Sequence, residues 1–290
     1  MKTQKVLVIP TLTLLLLAAM VVGCSNSAFR NLTGSILNST GSTKSSPLSD
    51  EQEYYLGRSV AAVLLSKYSL SHDSGTSHYA ESVASVLAAV SDRPEIFGGY
   101  HVAIVDTNDV SAFSAPGGFI LISRGFLKLL PNEDALAAVL AHEIGHIVKA
   151  DGVNAISKAN LNSAQLAVGT EAGRAYSSAE TREIAALLSD SVTEVVDTLL
   201  KKGYSRSQEY EADEYAAALL SRAGYTSSAL GTVLEALAAD KNRSGVWFTT
   251  HPAPEKRLSE VKSAFSDSSS ASKNMALRTE RFNRNMKRKS

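Results

Sequence analysis

Apolar residues recur at a helical spacing along most of the chain. Leu56, Val60, Val63 and Leu64 share one face of a helix predicted over residues 51–68, entered through a cap at Ser49 or Asp50. A second amphipathic helix fits residues 77–90 and stops before Arg93-Pro94. The period then changes. Residues 100–105 alternate and are rich in β-branched side chains, and residues 118–122, following Pro116-Gly117, form a second predicted strand. From Arg124 the helical period returns over residues 125–130, 132–149, about 154–200, 205–223, 227–238 and 252–265. Few, early strands and many helices predict an α+β domain that is mainly helical, with one small sheet.

Three stretches fall outside this pattern. Residues 1–23 carry Lys2 and Lys5, then an apolar run, then Val21-Val22-Gly23 before Cys24. This has the charged, apolar and small-residue regions of a secretory signal, and its apolar run is at the lower limit for a membrane span. Residues 24–49 are dominated by Ser, Asn, Thr and Gly, a composition suited to a flexible tether. Residues 266–290 are serine-rich and then basic, and are expected either to be solvated and frayed or to meet phosphate or lipid headgroups. The folded domain is therefore placed at residues 50–265.

Composition adds exclusions. Hydrophobic residues make up 44% and charged residues 20% of the 290, enough apolar surface for a core. Lys plus Arg and Asp plus Glu balance at 29 each, so no net field draws nucleic acid to the molecule. Cys24 is the only cysteine and cannot close an intrachain disulfide, so stability rests on packing, with room for help from a metal.

The chemistry is concentrated in the predicted helix 132–149, which carries His142-Glu143-Ile144-Gly145-His146. Histidines at i and i+4 lie on one helix face and can share a zinc ion, with Glu143 offset to act on a metal-bound water as general base. Zinc lowers the pKa of that water towards about 7, which is why the spacing suits peptide hydrolysis. Gly152 stands where a metzincin would have its third histidine, so another ligand must come from elsewhere. The segment 205–213 offers Glu209 and Asp213 on one face of a helix. Alone this would be a solvated acidic face; beside a zinc motif, Glu209 becomes the candidate third ligand and Asp213 the residue that steadies an imidazole or a neighbouring helix.

Four segments in order, Ser111–Ile120 with its Pro116-Gly117-Gly118, His142–His146, Glu209-Tyr210-Glu211-Ala212-Asp213, and Thr250-His251-Pro252 through Arg257, resemble the gluzincin metalloproteases of the HtpX and CaaX-prenyl-protease family, metallopeptidase family forty-eight. The resemblance covers about residues 51–265. It implies a gluzincin-type zinc domain with one Zn²⁺ per chain held by His142, His146 and Glu209, and Glu143 as base. It further implies an active-site edge strand over Gly117, Gly118, Phe119 and Ile120 that pairs with extended substrate; a buried core strand after a tight turn is the alternative. His251 resembles the family's late active-site histidine, placed either to stabilise an oxyanion or to bind the metal and keep the enzyme latent. A surface histidine capping the following helix is the remaining option. Two departures stand out: Glu214 replaces a basic residue, and Lys149-Ala150-Asp151 replaces a histidine often found past the motif.

Val21–Cys24 also resembles a bacterial lipobox, whose cysteine is lipidated, and Ser25 after it resembles the pattern of outer-membrane retention. The expected protein is a zinc endopeptidase of the bacterial envelope, anchored through Cys24 to the periplasmic face of the outer membrane. Its expected partners are unfolded or extended polypeptides, with no nucleic acid. A lipid-anchored chaperone or assembly scaffold that keeps the zinc site is the competing expectation; the intact Glu143 favours catalysis.

Overall fold

A computed structural model describes residues 46–157, 160–161 and 180–286, without the side chains of 180–188. The signal segment 1–23, Cys24, most of the tether and the middle of the 154–200 stretch lie outside the described residues.

Helix α1 (Asp50–Lys67) begins with a capping box: the Ser49 hydroxyl accepts from the Gln52 amide while the Gln52 side chain accepts from the Ser49 amide. Its buried stripe is Leu56, Val60 and Leu64. At Gly57 an added Cβ would stand 1.7 Å from the Pro116 carbonyl oxygen, so only glycine lets α1 lie this close to the turn at Pro116–Gly118. Helix α2 (Ser74–Ala89) starts from an Asp73 cap, and its buried residues include Tyr79, Val83 and Leu87.

The sheet has three strands in the order β1-β3-β2: β1 (His101–Val105), β2 (Ala112–Ala115) and β3 (Phe119–Ser123). β3 runs parallel to β1 and antiparallel to β2. This corrects the expected substrate strand. Gly117 and Gly118 belong to the turn joining β2 to β3, while Phe119 and Ile120 pair with His101 and Val102 on one side and with Ala115 and Ser114 on the other. A strand paired on both sides has no ladder to offer a substrate. The strand with a sheet neighbour on one side only, next to the chemistry, is β2.

Helix α3 (Arg124–Leu129) leads into α4 (Glu133–Val148), in which every residue is buried. A helix apolar almost all round belongs at the centre of a domain. It packs against α2, β2, α7 (Arg206–Arg222) and α8 (Ala229–Ala239). Alternate residues of the sheet feed two cores: Val102, Ile104, Ile120 and Ile122 join the core around α4, while Val105, Phe113, Ala115 and Leu121 join one built from α1 and α6 (Glu180–Asp197). The turn Asp151–Asn154 (α5) follows α4, and a wide helical turn, Thr198–Lys202, extends α6. Two short helices, α9 (Trp247–Thr250) and α10 (Pro254–Val261), bring Trp247 and Arg257 to His142 of α4.

Residues 266–290 are not a frayed tail where they are described. Helix α11 (Ser269–Met286) buries Phe282 and sets Arg278 against Asp134 with paired bonds of 2.6 and 2.7 Å. Arg281 pairs with Glu133, which also accepts from the hydroxyls of Tyr79 at 2.6 Å and Tyr225 at 3.0 Å. Two basic residues of this segment, Arg278 and Arg281, thus neutralise two acids buried at the start of α4.

Candidate metal centre

Helical spacing alone brings the two histidines together: His142 Nε2 and His146 Nε2 are 3.1 Å apart on α4. Helix α7, capped by Ser205 and Gln208, carries Glu209 across from them, 3.7 Å from each of those nitrogens. His251, at the end of α9, sends its Nε2 to 3.7 Å from Glu209 Oε2. These four side chains could hold one metal ion, since a ligand atom from each lies within 4.8 Å of all the others.

The donor set suits a metal. Glu209 is fully buried, and neither of its oxygens has a hydrogen-bond partner. A carboxylate in that condition pays the full cost of desolvation unless a cation stands beside it. Nitrogens bound to a tetrahedral zinc are about 3.3 Å apart, close to the gap between the two histidines.

Each imidazole is held from behind. Asp213, one turn after Glu209 on α7, lies 3.0 Å from His142 Nδ1, and Asp151 lies 2.8 Å from His146 Nδ1. Carboxylates in these places accept the Nδ1 proton and leave each Nε2 lone pair facing inwards. Asp151 reaches its post because Ala150 adopts the left-handed conformation (φ 54, ψ 33), folding the chain back at the end of α4. Gln208 then donates to the other Asp151 oxygen at 2.8 Å. Arg257 of α10, fully buried, clasps both oxygens of Asp213 and lies over the Trp247 ring.

The electrostatics follow from this packing. Burial, then the Arg257 charge, hold His142 down to about 3, so the ring is neutral. Burial also lowers His146, but the Asp151 hydrogen bond and the charges of Glu209 and Glu143 outweigh it and raise the group. Burial lifts Glu209 to about 7 against the pull of His146 and Arg257. Glu143 is raised by burial as well, and its Oε1 has no partner. It shares a cavity of about 270 Å³ with Ala112, Ser114, Tyr204, Glu209 and His251.

Family comparison agrees with this geometry. Residues 75–264 match the profile of peptidase family M48. The chain belongs to that family. Relatives of this M48 domain include the beta-barrel assembly-enhancing protease of Escherichia coli K12, 26% identical over 85% of this chain and 50% of the relative. Metalloprotease LoiP of the same strain is 26% identical over 87% of this chain and 96% of its own length. The mitochondrial metalloendopeptidase OMA1 of Schizosaccharomyces pombe is 28% identical over 64% of this chain and 52% of the relative. The chain thus spans about half the length of the beta-barrel assembly-enhancing protease it matches. It is an M48 metallopeptidase domain with the expected mainly helical α+β architecture.

Sequence reasoning gave Asp151 and Arg257 no role. Arg257 stood inside a quoted motif, and the buried acid it would need was available in Asp213. Asp151 was visible only as a departure from the family pattern, because its use depends on a left-handed alanine that propensity does not foretell. Among the described residues, no helix is long and apolar enough to cross a membrane.

Proposed function

We propose that this chain is a zinc endopeptidase acting on extended segments of misfolded or misassembled envelope proteins. The observation that carries the reading is Glu209: a buried carboxylate with both oxygens unpartnered, facing two imidazoles whose far nitrogens are tied to acids. His142, His146 and Glu209 would hold the zinc, with His251 in the fourth position at rest. Zinc bound there supplies an acidified water and polarises a peptide carbonyl. Glu143 takes the proton of the attacking nucleophile and passes it to the leaving amine, a task suited to a carboxylate whose basicity burial has raised.

Substrate would add as a strand along β2, whose Ala112, Phe113 and Ser114 line the cavity beside Glu143. The nitrogen and carboxylate donors support zinc as the metal. The envelope setting is supported by the lipobox-like Val21–Cys24 and by the name of the beta-barrel assembly-enhancing relative; Cys24 would carry the anchoring lipid at the periplasmic face of the outer membrane.

The purified full chain should bind about one zinc and cleave unfolded casein, with activity lost to chelators. Glu143→Gln should keep the metal while kcat falls by roughly 10²–10⁴-fold, the contribution of a positioned base. Undiminished cleavage by Glu143→Gln would end this mechanism. Acyl labelling and membrane fractionation of wild type against Cys24→Ala tests the anchor, and an unlabelled, soluble wild-type protein would reject it.

A further inference from the structure

His251 has two nitrogens with opposite surroundings, and its neighbour decides which of them carries the proton. The Nε2 atom faces Glu209 in the metal cluster. The Nδ1 atom lies 3.0 Å from the hydroxyl of Thr250, the residue just before it and the last of α9. That hydroxyl is also 2.9 Å from the Val246 carbonyl one turn back, in the usual geometry by which a helical threonine donates to its i−4 carbonyl. A hydroxyl has one proton. Once it is given to Val246, the side of Thr250 Oγ1 facing the ring can only accept, so the imidazole must donate from Nδ1. Nε2 is then left bare towards the metal position.

We propose that Thr250 is a positioning residue that fixes the His251 tautomer, with Nδ1 protonated and Nε2 a lone-pair donor, and thereby makes His251 a metal ligand in the resting protein. It rests on the metal-site reading above. It also decides between the two roles the sequence left open, because an oxyanion donor at Nε2 would need its proton on the other nitrogen. The orientation of the ring has a second support. His251 stacks on Trp247 with centroids 3.7 Å apart and planes within 12°, and Trp247 in turn meets Phe126 edge-on with centroids 4.9 Å apart. Stacking fixes the ring plane but is blind to the proton; only the hydroxyl selects the tautomer.

Losing the partner behind a ligating imidazole typically costs 10–100-fold in metal affinity. The test is the rate at which the zinc-loaded full chain gives up zinc to a chromophoric chelator at fixed pH. Thr250→Val, which keeps the shape and removes the hydroxyl, should release zinc about tenfold faster than wild type, and Thr250→Ser should stay within about twofold of it. His251→Ala should release zinc at least as fast as Thr250→Val. Trp247 is the only tryptophan of the chain, so its emission gives an independent readout on the folded protein: zinc addition should shift it in wild type and Thr250→Ser, and less in Thr250→Val.

The outcomes separate. A wild-type release rate in Thr250→Val alongside fast release in His251→Ala overturns the role of Thr250 and leaves His251 as a ligand. Equally fast release from Thr250→Val and Thr250→Ser also overturns it, since packing and not the hydroxyl would then be at work. A wild-type rate in His251→Ala defeats the ligand reading, and a wild type that binds no zinc defeats the metal site itself.

Discussion

Helix α4 begins with Glu133 and Asp134, both buried, and each of their carboxylates meets a guanidinium from α11 and further donors. Near the other end of the same helix, Glu209 is equally buried, yet neither of its oxygens has a hydrogen-bond partner. Both regions are acids in a low-dielectric interior, and both need positive charge. One receives it from the chain. The other faces imidazoles and an arginine that is already clasped to Asp213 and lies 3.9 Å from Glu209. Buried acidity by itself therefore does not mark a functional site; what marks it is acidity that the fold has declined to neutralise, with ligand nitrogens gathered round it.

This contrast predicts opposite signs for removing charge at the two ends. The largest effect should come from Arg278→Ala, which leaves Asp134 buried without its cation and should lower stability by about 3–5 kcal/mol in urea unfolding. A loss below about 1 kcal/mol would mean that the pair is not what secures α11.

Next in size is Glu209→Gln in the metal-free protein. The folded-state value of about 7 exceeds the ordinary 4.5, so folding favours protonated Glu209. Its contribution is fully present below about pH 4.5 and is lost as pH rises through about 7, a difference of about 3 kcal/mol. Metal-free wild type should accordingly weaken between pH 5 and pH 8, and Glu209→Gln should flatten that decline. A decline of the same depth in the variant would show that Glu209 is paired after all. Zinc should restore wild type at pH 8 and leave the variant little changed.

The smallest effect belongs to Arg281→Ala. The Arg281 side chain is half exposed, and Glu133 keeps the hydroxyls of Tyr79 and Tyr225, so the cost should be about 1 kcal/mol by thermal unfolding. A loss as large as that of Arg278→Ala would show that the tyrosines do not hold Glu133 unaided.

How much of this was legible depends on how local each cause is. The helix predicted over 132–149 is observed at Glu133–Val148, and that over 205–223 at Arg206–Arg222, because Asn132 and Ser205 are caps written directly into the sequence. The zinc motif was legible for the same reason: its spacing is one helical turn. Strand β2 was missed because Ala112-Phe113-Ser114-Ala115 is four residues long, buried throughout and without alternation. The substrate strand that the resemblance implied fell on β3, which is paired on both sides. The ion pair of Arg278 with Asp134 spans 144 residues, and no local pattern records such a partnership. The serine-rich approach to α11 then made its arginines resemble a solvated tail.

The clasp between α11 and α4 also sets an order in time. A chain that emerges N-terminus first has delivered His142, His146, Glu209 and His251 well before Arg278 appears. Until then Asp134, at the head of the helix that bears both histidines, has no guanidinium from α11 to meet. A chain released before residue 278 would carry all four candidate ligands while lacking this brace at the head of the helix that bears two of them.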